Sequence, residues 1–314
     1  MKKQNLFLLT ALALTTTGAA FAQSNVTVWG RLNVSAESQK VGDASRTKSL
    51  ENNSSRLGFR GVEDLGGGLK AGFALEHGFD PTTGTQSGNF WQRGSEVFLG
   101  SNFGTLRLGN FTSEAYYATA DFVSLHNHDT GSSADRLYAD LPNKTNKVAY
   151  RTPTFSGFTG EVAISEPQTG QTHRSYDVAA NYKLNALALG AGYQKVGDAN
   201  QFALRGLYTL GSFTFGGYYQ RDEDGFGVGY GNRNTFRLSG MYTLGASELH
   251  LNVGRSGDYD NRADSAATQW TVAYGYNLSK RTRAYAFYTK VSQDTNAPYG
   301  GDFSSLALGL RHNF

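Results

Sequence analysis

The chain has 314 residues, with no cysteine, 39 glycines, 5 prolines, 18 tyrosines and 20 phenylalanines. The lack of cysteine excludes disulfide scaffolds, thiol enzymes and cysteine-based metal sites. Lys2 and Lys3 belong to the leader described next. Without them the chain has 27 Lys and Arg and 26 Asp and Glu, so its net charge is close to zero. So balanced a chain predicts no nucleic-acid partner.

The first 22 residues have the pattern of a secretory signal peptide. Lys2 and Lys3 precede a mostly apolar segment at 6–14, and Ala20-Phe21-Ala22 supplies the small residues of a cleavage site. No later segment reaches the 18 or so apolar residues of a transmembrane helix. We therefore expect a signal peptide at residues 1–22 and one exported domain at residues 23–314, which could lie within a membrane only as a barrel.

Apolar and polar side chains alternate in the predicted strands at both ends of this domain. In the first strand the two faces are Val26, Val28, Leu32 and Val34 against Thr27, Arg31, Asn33 and Ser35. Residues 306–314 alternate in the same way up to the terminal Phe314, with Leu306, Leu308 and Leu310 on one face and Ala307, Gly309 and Arg311 on the polar face. Strands between lipid and a wet lumen have this period, and they explain a mean hydropathy of −0.44 in a membrane protein.

Turn signals divide the chain into sixteen predicted strands. Seven short turns are predicted at 64–69, 101–104, 154–158, 183–187, 209–213, 243–247 and 277–281. Eight longer polar loops are predicted at 38–52, 78–90, 110–143, 165–175, 194–201, 220–233, 254–267 and 291–303. Short turns at one end and long loops at the other predict an all-β, 16-stranded antiparallel transmembrane β-barrel. A barrel of that size holds water in its lumen.

The third loop, at about 110–143, is at least twice as long as most of the others. Uncommon loop length usually signals a function. If the loop folds inward it narrows the lumen, and if it folds outward it is a surface loop; length does not decide between them.

Several strings spread from end to end of the exported domain resemble the general porins of Gram-negative bacteria. They are Val26-Thr27-Val28-Trp29-Gly30-Arg31, Ser55-Arg56-Leu57-Gly58-Phe59-Arg60-Gly61, Glu63-Asp64-Leu65-Gly66-Gly67-Gly68-Leu69, Asn102-Phe103-Gly104-Thr105-Leu106-Arg107-Leu108-Gly109, Val148-Ala149-Tyr150-Arg151-Thr152-Pro153 and Phe314. The resemblance implies a trimeric diffusion channel of the outer membrane with an inward-folded third loop.

The resemblance also implies a constriction in which loop carboxylates face basic side chains of the wall. Carried over, the basic positions are Arg31, Arg56 and Arg93, and the acidic positions are Asp121 and Glu114. A further basic position after the third loop falls on Asn143, for which Lys144 or Lys147 is expected to substitute. Strand alternation independently places Arg31 and Arg56 on the water-facing side. Arg93 stands two residues earlier than the common family spacing, about 7 Å along the strand.

We therefore expect passive transport of small hydrophilic solutes and ions with a modest anion preference, because basic positions outnumber acidic ones. We expect a homotrimer in contact with outer-membrane lipid and lipopolysaccharide, without cofactor, metal or catalytic residues. The alternatives from other classes are a lipid-hydrolysing barrel and a closed barrel that serves as an adhesin. The segment His126-Asn127-His128-Asp129 could bind a metal, although contiguous polar residues in a loop are usually solvated.

Overall fold

The computed structural model describes residues 25–120, 123, 131–141, 144–167 and 173–314. These residues form strands, one short α-helix and one 3-10 turn at Gly131–Ser133. The helix is α1 (Glu114–Thr119). The strands are β1 (Asn25–Val41), β2 (Thr47–Asn52), β3 (Arg56–Gly66), β4 (Leu69–Asp80), β5 (Thr85–Gln86), β6 (Gly94–Ser101), β7 (Gly104–Asn110), β8 (Lys147–Arg151), β9 (Phe158–Ser165), β10 (Ser175–Leu184), β11 (Leu187–Val196), β12 (Ala199–Leu210), β13 (Phe213–Glu223), β14 (Asn232–Leu244), β15 (Ser247–Ser256), β16 (Ala267–Asn277), β17 (Thr282–Gln293) and β18 (Phe303–Asn313).

The strands close into a barrel because the first strand pairs with the last. β1 and β18 are antiparallel from Arg31 opposite Asn313 to Val41 opposite Phe303. On its other side β1 pairs with β2 over one half and with β3 over the other half, so β2 and β3 together make one wall strand. The two-residue β5 pairs with β4 in a separate small sheet. The described strands thus confirm a 16-stranded antiparallel barrel.

The two faces of the wall follow the alternation in the sequence. Val26 and Val28 are 59% and 55% exposed on the outer face, whereas Asn33 and Ser35 on the inner face are 1% exposed. Polar residues are buried inside because the third loop and neighbouring strands cover them, while the apolar outer residues are left for lipid. No helix among the described residues is long and apolar enough to span a membrane.

The seven predicted short turns are confirmed, but the prediction of eight long loops is partly wrong. The predicted loop at 194–201 is a two-residue turn at Gly197 and 198, since β11 and β12 continue to pair up to Val196 opposite Ala199. Gly197 adopts φ of +62°, which a glycine tolerates without strain. The predicted loop at 38–52 likewise contains the end of β1 and all of β2. Polar residues there are strand residues, so polarity alone gave the wrong boundary.

The third loop, which connects β7 to β8, folds into the lumen as the family resemblance implied. Its helix α1 lies on the inner faces of β10 and β11. A side chain at Gly190 would meet the carbonyl oxygen of Ala118 at 1.8 Å, and one at Gly192 would meet that of Ala115 at 2.6 Å. Two inward-facing glycines therefore let the helix pack directly on the backbone of the wall.

The later part of the third loop, residues 131–141, is bonded to the inner wall farther round the barrel. Arg237 on β14 pairs with Asp135 at 2.6 Å, and Gln220 on β13 both accepts from the Ala139 N–H at 2.8 Å and donates to its carbonyl at 2.9 Å. Such bonds fix the loop against one side of the barrel. The same stretch also reaches β1, where the Ser132 hydroxyl donates to Glu37. A cavity remains open between the first part of the loop and the wall formed by β1, β4, β6, β7 and β8.

Candidate functional site

The basic side of the passage begins with two arginines on adjacent strands. Arg31 on β1 stands directly opposite Arg56 on β3 in the antiparallel register, and both point into the lumen. The Nε of Arg31 donates to Oδ1 of Asn313 at 3.1 Å, which holds the side chain against the end of β18. Directly paired inner-face residues lie only about 4.5–5.5 Å apart at Cβ, so these two guanidinium groups share one region of water.

Arg93 joins this pair through a carboxylate that the sequence analysis missed. The Nε of Arg93, just before β6, donates to Oε1 of Glu76 on β4 at 2.5 Å, and the same oxygen accepts from Nη1 of Arg56 at 3.3 Å. One carboxylate therefore bridges Arg93 to Arg56. Glu76 could have been found by extending the alternation of the inner face into β4.

The basic row continues in the other direction beyond the predicted set. Arg311 on β18 stands opposite Asn33 of β1 on one side and opposite Arg283 of β17 on the other. Arg283 pairs with Glu248 at 2.6 Å. The alternation of the last strand had already placed Arg311 on the inner face, but only the closure of the barrel brings it beside Arg31.

The acidic side is formed by α1, whose first residue is Glu114. Its carboxylate accepts from Arg151 at 2.5 Å and from Nδ2 of Asn181 at 2.9 Å. Burial raises the pKa of Glu114, while the Arg151 guanidinium opposes that shift. Arg151 also pairs with Glu161, which in turn pairs with Arg107. Glu114 is thus the end of a charge network that anchors the loop to the wall.

The far end of α1 is held by a different arginine. Nη1 of Arg205 on β12 donates to the carbonyl oxygens of Tyr117 and Ala120 at 3.0 and 3.1 Å. Two of the carbonyl groups that a helix leaves unpaired at its end are satisfied in this way. Asp121, the other predicted acid, lies outside the described residues, as do His126 and His128.

Lys144 and Lys147 have different surroundings. Burial lowers the pKa of Lys144, with Asp140 opposing that effect and Arg93 adding to it, so Lys144 is near the basic row. Lys147 is fully buried and pairs with Asp177 at 2.6 Å. The structure therefore favours Lys144 over Lys147 as the additional basic residue of the passage.

Both sides line the same space. A cavity of about 390 Å³ is bounded by Glu76 and Arg93 of the wall and by Glu114 and Tyr117 of the third loop. Among the described residues no group of three or more His, Asp or Glu side chains is placed to hold a metal ion. The geometry is that of a charged, water-accessible passage between a fixed loop and the barrel wall.

Comparisons with known proteins identify the family. The model of the Gram-negative porin family matches residues 9–296. Outer membrane porin protein 32 of Delftia acidovorans is 35% identical and is aligned over 99% of this chain and 100% of its own. The solved anion-selective porin from Comamonas acidovorans is 25% identical, with a TM-score of 0.78 over 93% of this chain and 100% of that chain.

A more distant solved structure shares the fold. The in-vitro folded OmpT of Vibrio cholerae, in its trimer form, is 16% identical, with a TM-score of 0.70 over 93% of this chain and 99% of that chain. The match of the family model to residues 9–296, the 35% identical relative and the closed barrel agree with one another. The chain belongs to the Gram-negative porin family and is an outer-membrane channel for passive diffusion.

Proposed function

We propose that this porin prefers anions modestly and that Arg31, Arg56 and Arg93 set the preference. The proposal rests on a row of guanidinium groups on neighbouring strands of the barrel wall. The row runs from Arg283 and Arg311 through Arg31 and Arg56 to Arg93. Like charges that face one narrow volume of water produce a positive potential there. Anions are concentrated in such a passage and cations are depleted.

The preference stays modest because carboxylates lie within the same passage. Glu76 bridges Arg56 and Arg93, and Glu114 stands on the loop side, although Arg151 neutralises much of its field. We assign Lys144 an auxiliary basic role and keep Asp121 as a proposed acidic residue of the third loop. Transport needs only the solute's own gradient, since the passage requires no bound group to conduct. The similarity to the anion-selective porin of Comamonas acidovorans supports the proposed anion preference.

We further propose that the leader is cut after Ala22 and that residues 23–314 assemble as a homotrimer. The trimer form of the Vibrio cholerae relative supports the assembly. The exposed apolar outer face of the barrel supports contact with outer-membrane lipid and lipopolysaccharide.

Single-channel recording of the refolded mature chain in a planar bilayer tests the proposal. We expect stepwise conductance and, across a salt gradient, a reversal potential displaced towards that of the anion. A reversal potential displaced towards the cation would overturn the anion preference while leaving the channel in place. A folded barrel without conductance would overturn the diffusion function and favour the adhesin or the lipid hydrolase.

A further inference from the structure

The outer face of β12 to β14 has a groove that the pore does not use. Gly206 on β12 stands directly opposite Gly217 on β13, and both belong to the lipid-facing set. Two side chains are therefore missing at adjacent positions of the outer wall. The resulting open groove measures about 630 Å³ and is bordered by Tyr208, Phe215 and Leu238.

The lining of this groove is apolar along its length, and a second groove adjoins it. The second groove, of about 620 Å³, shares Phe215 and Leu238 with the first and has Gly240 in its floor. Both face the hydrocarbon region, where lipid tails are as apolar as leucine. Shape, not hydrophobicity, must therefore decide whether a tail is held there.

Cations border the end of the groove that is nearer the long loops. Arg221 follows Tyr219 by two residues on the outer face of β13, and Arg255 on β15 stands opposite Phe236 of β14. Both arginines are exposed. Tyr219 and Phe236 pack with ring centroids 4.9 Å apart, so an aromatic pair separates the two charges from the apolar groove.

Polar groups around Arg221 engage one nitrogen of its guanidinium group. Arg221 donates to Oδ1 of Asn234 at 3.3 Å, and the same oxygen accepts from the Tyr219 hydroxyl at 2.9 Å. Glu223, the next outer-face residue of β13, accepts from Nδ2 of Asn200 at 2.7 Å. Guanidinium groups match phosphate geometry particularly well, with paired N–H donors.

We propose that this surface binds an anionic lipid, whose headgroup phosphate has no compensating cation in the same headgroup, with the phosphate at Arg221 and Arg255 and an acyl chain over Gly206 and Gly217. The charge complementarity and the position of the cations at one end of an apolar groove select a lipid over a free anion. The proposal rests on the outer-membrane location of the barrel and does not depend on the selectivity of the pore.

Lipid retention by the refolded mature chain tests this site. The protein is equilibrated in detergent with equimolar phosphatidylglycerol and phosphatidylcholine of identical acyl chains, and bound lipid is counted by native mass spectrometry. We expect phosphatidylglycerol to be retained preferentially. Arg221→Gln combined with Arg255→Gln should reduce that preference by about fivefold or more, as expected for cations at a membrane surface.

Two further variants distinguish the contribution of the groove to lipid retention from that of the headgroup site and from a general effect of surface charge. Gly206→Phe should reduce retention of both lipids by filling the groove, and its backbone should accept the change because a Cβ there meets nothing closer than 3.8 Å. Arg281→Gln removes an exposed arginine at the opposite end of the barrel and should behave as the wild type.

Equal retention of the two lipids by the wild type, or equal behaviour of the double variant and Arg281→Gln, would overturn the headgroup site. Undiminished retention by folded Gly206→Phe would overturn the groove. The conductance of the same variants shows whether a loss of lipid preference is accompanied by a loss of pore function. Arg221 and Arg255 point away from the lumen, so loss of lipid preference should leave conductance unchanged.

Discussion

Inward-facing arginines have different surroundings on the two sides of the barrel. On the side covered by the third loop, Arg233 and Arg237 have no exposed side-chain surface and pair with Asp222 and Asp135. On the open side, the wall of the passage, Arg56 keeps 11% and Arg93 keeps 25% of the side chain exposed. The residue type and its place in the strand are the same, and only the cover by the loop differs.

The third loop therefore determines the role of each inward-facing arginine. Arginines that the loop covers stabilise the fold, and arginines that it leaves exposed contribute charge to the passage. Most of the N–H groups of a buried guanidinium must be paired, because its desolvation is costly. Arg237 accordingly bonds Asp135, Asn252 and Gln269. An arginine that borders water needs less pairing and keeps a field that solutes can sense.

Removal of a covered arginine should have the largest effect on stability. Arg237→Met leaves the Asp135 carboxylate in a mostly buried position without its ion-pair partner, and breaking such a pair costs about 3–5 kcal/mol. Urea unfolding of the refolded barrel in lipid vesicles measures this loss. Arg281→Met, at an exposed turn outside the passage, is the matched control and should change the unfolding free energy by about 0.5 kcal/mol or less. Equal stability of the two variants would contradict the anchoring role.

Charge reversal on the open side should change selectivity and not the fold. Arg56→Glu alters the charge of the passage by two, and each charge at about 4 Å in water is worth about 1 kcal/mol, or about fivefold. The ratio of anion to cation permeability should fall by about fivefold or more in reversal-potential measurements. Arg281→Glu makes the same change at an exposed turn outside the passage. An unchanged ratio in Arg56→Glu would remove this arginine from the selectivity region.

Neutralising the bridging carboxylate should act in the opposite direction. Glu76→Gln removes the negative charge that Arg56 and Arg93 share, so both guanidinium groups gain influence over the passage. The anion preference should rise, by less than the fivefold or so expected for one nearby charge, since the amide still bonds the arginines. A reversal potential that moves towards the cation would show that Glu76 mainly holds the arginines in place.

Acidification should produce the smallest change. Burial raises the pKa of Glu114, so this carboxylate takes up a proton at a higher pH than an ordinary glutamate does. An ordinary glutamate has a pKa of about 4.3, so as the pH falls towards that value the loop side loses one negative charge early and the anion preference should grow slightly. Glu114→Gln is already neutral and should lack that component. The same pH response in this variant would assign the titration to another group.

The architecture followed from the sequence because strand alternation is local. A period of two along the first, second and last strands of the wall placed Arg31, Arg56 and Arg311 on the inner face without reference to any neighbour. The resemblance to the porins also identified the inward third loop, which the structure confirms. Polarity failed as a guide at 194–201, where polar residues lie in paired strands and the turn is only two residues long.

Only the tertiary structure decided which charges meet. Glu76 and Arg93 are 17 positions apart and bond because β4 and β6 are paired, and Arg311 approaches Arg31 because the chain ends close the barrel. The separation of covered from open arginines depends on where residues 131–141 lie, which no local pattern encodes. Alternation fixes the face of a side chain, whereas register and loop position fix its partners, and electrostatic interactions depend on those distances.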